Sequence, residues 1–156
     1  MPLFCVLSIL AGCAGQESHA PDHRRIDDRL IVARDFGGNI GLRFREIESL
    51  RAEGRKVEIR GTCASACTMY LALPDTCVAP QVEMRFHGPS VDGRPVKGPA
   101  FNTVSGIMAR SYPEPLRSWF MAEGRYRVEG FDEIRGAELI AMGVPECTPD
   151  TYAKND

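Results

Sequence analysis

One stretch decides the predicted fold: Val57-Glu58-Ile59-Arg60-Gly61-Thr62-Cys63-Ala64-Ser65-Ala66-Cys67. Its first four residues alternate apolar and charged side chains, which is the period of a half-buried strand. The small residues of 61–67 predict a tight turn, and the apolar segment 68–73, stopped by Pro74, predicts a short buried helix. A strand that passes through a tight turn into a helix is typical of an α/β protein.

The residues before this stretch repeat the pattern. Residues 30–33 (Leu-Ile-Val-Ala) predict a strand buried on both faces, and Asp35-Phe36-Gly37-Gly38-Asn39 predicts the turn that closes it. An amphipathic helix follows, ended by Gly54. Its predicted apolar face consists of Ile40, Phe44, Ile47 and Leu50.

The residues after this stretch complete an α/β domain. Residues 77–86 predict a third strand, with Val82, Met84 and Phe86 on one face and Glu83, Arg85 and His87 on the other. A Gly- and Pro-rich loop (88–100), a helical segment (101–123) broken near Pro113 and Pro115, and a helix over 134–142 follow. Alternating strands and helices predict one domain with a mainly parallel sheet.

Composition excludes several classes of protein. The 156 residues carry a net charge of -2, with 44% apolar and 26% charged residues, which excludes a disordered tail, a collagen-like repeat and a strongly basic nucleic-acid binder. Aromatic residues make up only 8%, too few for a platform that stacks single-stranded nucleic acid. We therefore predict no nucleic-acid partner.

The N-terminus indicates export. Residues 1–12 are apolar and carry no charge, as in the apolar region of a signal peptide. Leu10-Ala11-Gly12-Cys13 resembles the lipobox of bacterial lipoproteins, in which the cysteine becomes lipidated. We predict a signal peptide (1–12), lipid attachment at Cys13 with a polar linker (13–28), and a domain (29–156). The predicted location is the periplasmic face of a bacterial membrane, and Ala14 favours the outer membrane; the alternative is an apolar first strand that stays in the fold.

If the chain is exported, the predicted roles of two histidines and four cysteines follow. His19 and His23 lie in the polar linker, and we predict that both are solvated. Removal of Cys5 and lipidation of Cys13 leave an even number of cysteines, as expected of an exported domain with disulfides. The four allow three pairings, and we expect at least one bridge at the turn around Ser65. The candidates are Cys63, Cys67, Cys77 and Cys147.

Ser65 is the candidate nucleophile. It lies where a strand feeds a helix, between Ala64 and Ala66, and such small neighbours permit a turn that exposes a hydroxyl, as in a nucleophile elbow. A serine hydroxyl needs a base within hydrogen-bond reach, and His87 ends the third strand at the same edge of the predicted sheet. The structural alternatives are a helix N-cap for Ser65 and a merely structural His87.

Two backbone amides are candidates for an oxyanion hole. The turn at 35–39 lies at the same edge as Ser65, and its paired glycines let backbone N–H groups approach a ligand closely. We predict that the N–H groups of Gly38 and Ala66 stabilise the oxyanion of an acyl transfer. The alternative is an ordinary strand-to-helix turn.

These segments, in this order, resemble the Clp-protease proteolytic subunit and its exported relatives in the Clp/crotonase superfamily, over residues 30–144. In that family one strand ends in a Gly-Gly turn, matched by Gly37-Gly38, and a second ends in a small-residue turn with the nucleophile, matched by Cys63-Ala64-Ser65-Ala66-Cys67. A third strand with a proline near its start ends in the histidine, matched by residues 78–87. Residues 137–144 resemble the helix that precedes the last strand.

The resemblance implies a ββα superhelix with a mainly parallel sheet and a Ser-His-Asp site. The position of the family's aspartate falls on or beside Phe131, so that Asp132 is the nearest carboxylate; Glu129 and a Ser-His dyad are alternatives. The family also implies a homo-oligomer, although this chain is shorter than the cytosolic subunit.

The predicted function is a membrane-anchored periplasmic serine hydrolase that cleaves peptides or proteins without a cofactor. The first alternative is a catalytically inactive lipoprotein of the same fold that binds partners. The second is a zinc site made of Cys63, Cys67, Cys77 and His87, whose spacing fits no established zinc motif. An acyl-CoA enzyme is disfavoured because the coenzyme is cytosolic.

Overall fold

The computed structural model describes residues 20–149, which form a mixed α/β protein. The predicted signal peptide, lipid attachment at Cys13, His19 and residues 150–156 lie outside the described residues. No helix within 20–149 is long and apolar enough to cross a membrane.

Six strands form the main sheet, in the order β1-β2-β3-β5-β8, with β4 paired to β3 beside β5. Strands β2, β3, β4 and β5 are parallel, whereas β1 and β8 run antiparallel to their neighbours, so the sheet is mixed. Two further strands, β6 and β7, form a hairpin of their own. The bounds are β1 Asp22–Ile26, β2 Arg29–Asp35, β3 Lys56–Ala64, β4 Thr76–Val78, β5 Glu83–Phe86, β6 Ser90–Val91, β7 Arg94–Pro95 and β8 Asp132–Arg135.

Within residues 20–149, four α-helices and two 3₁₀ helices accompany the strands. The helix after the central stretch is the longer 3₁₀ helix, which begins at Ser65 and ends at Ala72. The α-helical segment after the hairpin is broken at Pro113 and Pro115, as predicted. The bounds are α1 Ile40–Ala52, α2 Pro99–Ala109, α3 Leu116–Ala122 and α4 Gly136–Ala141, with a second 3₁₀ helix at Gly124–Tyr126.

The core is continuous around the central strands. Strand β5 carries Phe86, whose ring packs edge-on against Tyr112 and Trp119, with centroids 5.5 and 5.6 Å apart. Burial of such rings is among the largest apolar contributions a side chain makes. Because Phe86 directly precedes His87, this packing anchors the end of β5 where the candidate site lies.

The linker prediction is wrong for residues 22–26. This segment forms β1 and pairs antiparallel with β2, from Ile26 opposite Arg29 to Asp22 opposite Arg34. An edge strand needs only one partner and exposes its other side, so its sequence can be polar and lack an apolar alternation. Its His23 is therefore part of the folded domain and is not a solvated linker residue.

Two further predicted elements differ from the structure. Residues 77–86 are interrupted: β4 ends at Val78, β5 begins at Glu83, and Val82 N–H donates to the Ala79 carbonyl (3.1 Å) in the turn between them. The last predicted helix begins too early, because Ile134 lies in β8, paired opposite Met84. A local turn interrupts the first of these elements, and pairing with β5 makes the start of the second a strand.

The buried face of α1 also differs from the prediction. Ile47 and Leu50 are buried as expected, but Phe44 is 51% exposed and Arg43 takes the predicted core position with 6% exposure. A buried guanidinium requires a partner of opposite charge. Its partner belongs to the candidate site.

Candidate active site

Ser65 occupies a strained turn between β3 and the 3₁₀ helix. Its φ is +55°, in the left-handed region that non-glycine residues seldom adopt, and the flanking Ala64 and Ala66 are fully buried. The Thr68 hydroxyl donates to the Ser65 carbonyl at 2.7 Å, and the disulfide Cys63–Cys67 closes across the turn. Strain of this kind is typical of turns that present a functional side chain.

The Ser65 side chain does not cap the helix. The N-cap position belongs to Ala64, and no side-chain hydrogen bond caps this helix. The Ser65 hydroxyl instead lies 2.6 Å from Nε2 of His87, within hydrogen-bond reach of a general base. The predicted meeting of these two side chains at one sheet edge is therefore confirmed.

The backbone around His87 is tightly held. Gly88 N–H donates to the Arg127 carbonyl at 2.7 Å, and a Cβ on Gly88 would lie only 1.8 Å from the Arg125 carbonyl oxygen. Only glycine allows the chain to approach residues 125–127 so closely. Burial lowers the pKa of His87 below its ordinary value, although a backbone hydrogen bond at Gly88 acts in the opposite direction.

The predicted contact between Asp132 and His87 is not present. Asp132 lies on β8 opposite Phe86, the residue that precedes His87. Its Oδ1, however, accepts hydrogen bonds from Arg127 Nε and Nη2, both at 2.8 Å. The ring that packs edge-on against His87 belongs to Phe131, with centroids 5.1 Å apart. Glu129 is exposed in the preceding loop. Among residues 20–149, the arrangement is thus a Ser-His pair without a carboxylate hydrogen-bonded to the histidine.

The Gly37-Gly38 turn packs directly against the Ser65 turn. A Cβ on Gly37 would lie 2.6 Å from Ser65 Cβ and 2.8 Å from the Ala66 nitrogen, and both glycines have positive φ, +94° and +121°. Gly37 N–H donates to the side chain of Asp35, whereas Gly38 lines the cleft in front of Ser65. Gly38 and Ala66 therefore belong to the two turns that meet here, and their role as oxyanion donors stays a prediction.

Ser65 and His87 open into a cleft of about 550 Å³. A second cleft, of about 700 Å³, lies beside Asp132 and Glu129 and is lined by neither Ser65 nor His87. The smaller cleft is the candidate site, because of these two clefts it is the one in which a hydroxyl and a histidine meet. Besides Ser65, His87 and Gly38, its lining includes Asn39, Ile40, Ser90, Val91, Asp92, Val96, Val104 and Met108.

The four cysteines within the described residues form two disulfides, Cys63–Cys67 and Cys77–Cys147. The predicted bridge at the Ser65 turn is confirmed. The second bridge ties β4 to the segment after α4, where Cys147 N–H also donates to the Val78 carbonyl. Sulfurs in disulfides cannot serve as thiolate ligands, so this pairing is incompatible with the zinc alternative.

Sequence reasoning missed a buried polar group behind the Gly37-Gly38 turn. Asp35, fully buried, contacts Arg43 of α1 and His23 of β1. Two signals were available: an aspartate immediately before paired glycines, and an arginine at helical spacing from Ile47 and Leu50. The contact with His23 had no such signal, because it depends on β1 joining the sheet.

Comparison of the chain with models of known protein families and with curated proteins of known function gives no match. A functional assignment therefore has to come from the chemistry of the side chains that the fold brings together.

Proposed function

We propose that this protein is a serine hydrolase that cleaves peptide or protein substrates with a Ser65–His87 dyad. The single observation that carries the proposal is the 2.6 Å separation between Ser65 Oγ and His87 Nε2, at a strained turn that faces an open cleft. A structural serine at a helix start would direct its hydroxyl to the helix amides. Here the hydroxyl is directed to a base instead.

The dyad supplies both proton transfers of an acyl transfer. Ser65 Oγ attacks the substrate carbonyl carbon while His87 Nε2 takes the hydroxyl proton, and the resulting oxyanion lies near the Gly38 and Ala66 amides. The C–N bond then breaks, and the imidazolium returns its proton to the departing amine. Water, deprotonated by His87, hydrolyses the acyl-enzyme and regenerates Ser65.

The surroundings of His87 suit the role of a base. Because burial lowers its pKa, the imidazole is neutral at neutral pH and can accept a proton. No carboxylate orients the ring in this proposal; the close packing at Gly88 and the edge of Phe131 hold it instead. Asp132 is then a structural partner of Arg127, and the Ser-His-Asp triad implied by the family resemblance is not part of the proposal.

The proposal also covers the fold family, the cellular location and the assembly of the protein. The Gly37-Gly38 turn packed on the Ser65 turn supports a Clp/crotonase-like superhelix, and an open cleft lined by both polar and apolar side chains suits an extended peptide. The two disulfides support an exported protein, since such bonds persist in oxidising compartments. Lipid anchoring at Cys13, a periplasmic location and assembly of several copies complete the proposal.

Labelling with a fluorophosphonate tests the activity. We expect mass spectrometry of the labelled full chain to locate the adduct on Ser65, and Ser65→Ala to abolish labelling. Ser90, a second hydroxyl in the same cleft, provides the matched control, because Ser90→Ala keeps the dyad and should label at the parent rate. If the folded parent protein fails to react, the remaining interpretation is the inactive lipoprotein that binds partners in this cleft.

A further inference from the structure

The carboxylate of Asp35 joins three elements behind the candidate site. Its Oδ1 accepts the Gly37 N–H at 2.7 Å, and its Oδ2 lies 2.5 Å from Arg43 Nη2 and 2.9 Å from His23 Nε2. Asp35 ends β2, His23 belongs to β1 and Arg43 to α1. One carboxylate therefore connects an edge strand, a helix and the Gly37-Gly38 turn.

The charge of this carboxylate is compensated by its partners. Burial by itself would raise the pKa of Asp35, but the hydrogen bond from His23, the charge of Arg43 and the hydrogen bond from Gly37 together hold the pKa below its ordinary value. Arg43 is shared, since it also contacts the Tyr70 hydroxyl and the Glu46 carboxylate. A buried and fully partnered carboxylate resists movement, because any shift would leave a charge without a partner.

The position of Gly37 determines how the turn meets Ser65. A Cβ on Gly37 would lie 2.6 Å from Ser65 Cβ and 2.7 Å from the Ala64 carbonyl oxygen, so the two turns touch through the glycine backbone. Glycine at φ +94° samples many other conformations when nothing holds it. The hydrogen bond from the Gly37 amide to Asp35 selects this one.

We propose that Asp35 is a positioning residue that holds the Gly37-Gly38 turn so that the Gly38 N–H faces the carbonyl attacked by Ser65. The inference rests on the proposed function, since an oxyanion donor matters only if Ser65 acylates. Asp35 does not touch the substrate in this role. His23 and Arg43 keep its carboxylate aligned with the Gly37 amide, which makes the edge strand β1 part of the catalytic support.

The test compares Asp35→Asn with Glu58→Gln in the full-length chain. Asparagine keeps the shape and one acceptor oxygen, but it removes the charge and places an amide against Arg43 or His23. Glu58 is a matched control, a carboxylate with 7% exposure that is ion-paired with Arg29 and Arg60 and has no hydrogen bond to the turn. Both variants lose a buried ionic interaction, so both should unfold at lower temperature.

Only the Asp35 variant should change the turn and the chemistry. On a nitrophenyl ester we expect kcat of Asp35→Asn to fall about 10- to 100-fold with little change in KM, because a displaced oxyanion donor weakens the transition state alone. The Gly37 amide proton should also move upfield in the NMR spectrum, since it loses a charge-assisted hydrogen bond. Glu58→Gln should change neither quantity.

A second pair of variants avoids dependence on one substitution that could fail to fold. His23 is 18% exposed, so His23→Ala should fold; it removes one partner of Asp35, and we expect about a tenfold loss of kcat. His23→Gln restores a side-chain donor and should recover most of this loss. Unchanged kcat in Asp35→Asn and His23→Ala, in a protein whose Ser65 labels, would overturn the positioning role. If the parent protein does not label but the Gly37 amide proton still moves in Asp35→Asn, the proposed activity is rejected, whereas the link between Asp35 and the turn is kept.

Discussion

The rings of Phe131 and His87 pack nearly at right angles, with their centroids 5.1 Å apart. Phe131 lies at the sequence position where the family resemblance leads one to expect a carboxylate. A phenyl ring can hold the histidine ring in place, but it carries no negative charge that could neutralise an imidazolium as a carboxylate does. In the proposed dyad, His87 therefore depends on burial and on the backbone packing at Gly88.

Ser65 and His87 should behave as one unit. We expect Ser65→Ala, His87→Ala and the double variant to lose similar activity, on the order of 10³-fold or more, because effects within such a unit are strongly non-additive. Hydrolysis of an activated ester by the three variants, with folding checked by circular dichroism, measures this. Full activity in folded Ser65→Ala would contradict the hydrolase proposal.

Asp132→Asn should leave catalysis nearly unchanged. Its carboxylate is bonded to Arg127, so we expect kcat within about twofold of the parent, whereas loss of a triad aspartate costs about 10⁴-fold. The measurement is kcat on the same ester. A loss of several orders of magnitude would restore Asp132 as the third catalytic residue.

Activity should rise with pH through a midpoint below 6.5. Burial lowers the pKa of His87 from 6.5, and the neutral imidazole is the active form, so protonation at lower pH removes the base. The same shift makes the folded state more stable above pH 6.5, and this stability is lost as the pH falls from 6.5 through the lower pKa of His87 in the folded protein. Phe131→Ala should move the midpoint of kcat/KM upward, because water then reaches the ring; a midpoint unchanged by this substitution would contradict the role of Phe131.

Gly37→Ala should impair the site, because a methyl group there would overlap Ser65 Cβ and the Ala64 carbonyl and would also strain a φ of +94°. We expect a kcat loss of about 100-fold, since a displacement near 1 Å is sufficient for this. Gly106→Ala is the control: its Cβ meets no atom within 4 Å in α2, so it should add up to about 1 kcal/mol of stability with unchanged kcat. Equal kcat in the two variants would argue against the packing of the two turns as a catalytic requirement.

The two disulfides should differ in what they stabilise. Cys77–Cys147 spans 70 residues of sequence, and its removal by alanine substitution should lower the free energy of unfolding by about 4 kcal/mol, against about 2 kcal/mol for Cys63–Cys67, because longer loops gain more entropy on release. Urea unfolding measures both. We expect kcat to fall only for the pair that brackets Ser65, and the reverse order of kcat effects would contradict the bracing of this turn.

Much of the site could be predicted from local pattern. The alternation around Ile59 indicated β3, small residues indicated the turn at Ser65, and His87 followed a strand in the same direction. Since parallel strands end at the same edge of a sheet, the two side chains had to meet, as the 2.6 Å contact confirms. The break at Pro113 and Pro115 was equally local, because proline cannot continue a helix.

The remaining features depend on partners distant in sequence. His23 reaches Asp35 only because β1 pairs with β2, and Arg43 is buried only because Asp35 lies beneath it. A periodicity argument places an arginine on the solvent side and a polar segment outside the fold. Periodicity considers each side chain by itself, whereas a charged side chain can be buried only where it has a partner of opposite charge.

By itself, the sequence determined the α/β class, the strand-turn-helix units and the serine and histidine brought to one edge, because these follow from periodicity, small residues and proline along a continuous chain. Tertiary structure alone decided that Phe131 contacts His87 and that His23 and Arg43 both meet the carboxylate of Asp35. Each of these contacts joins different elements of the fold. Which of two neighbouring residues faces the histidine depends on strand register, since a shift of one residue reverses the direction of every side chain.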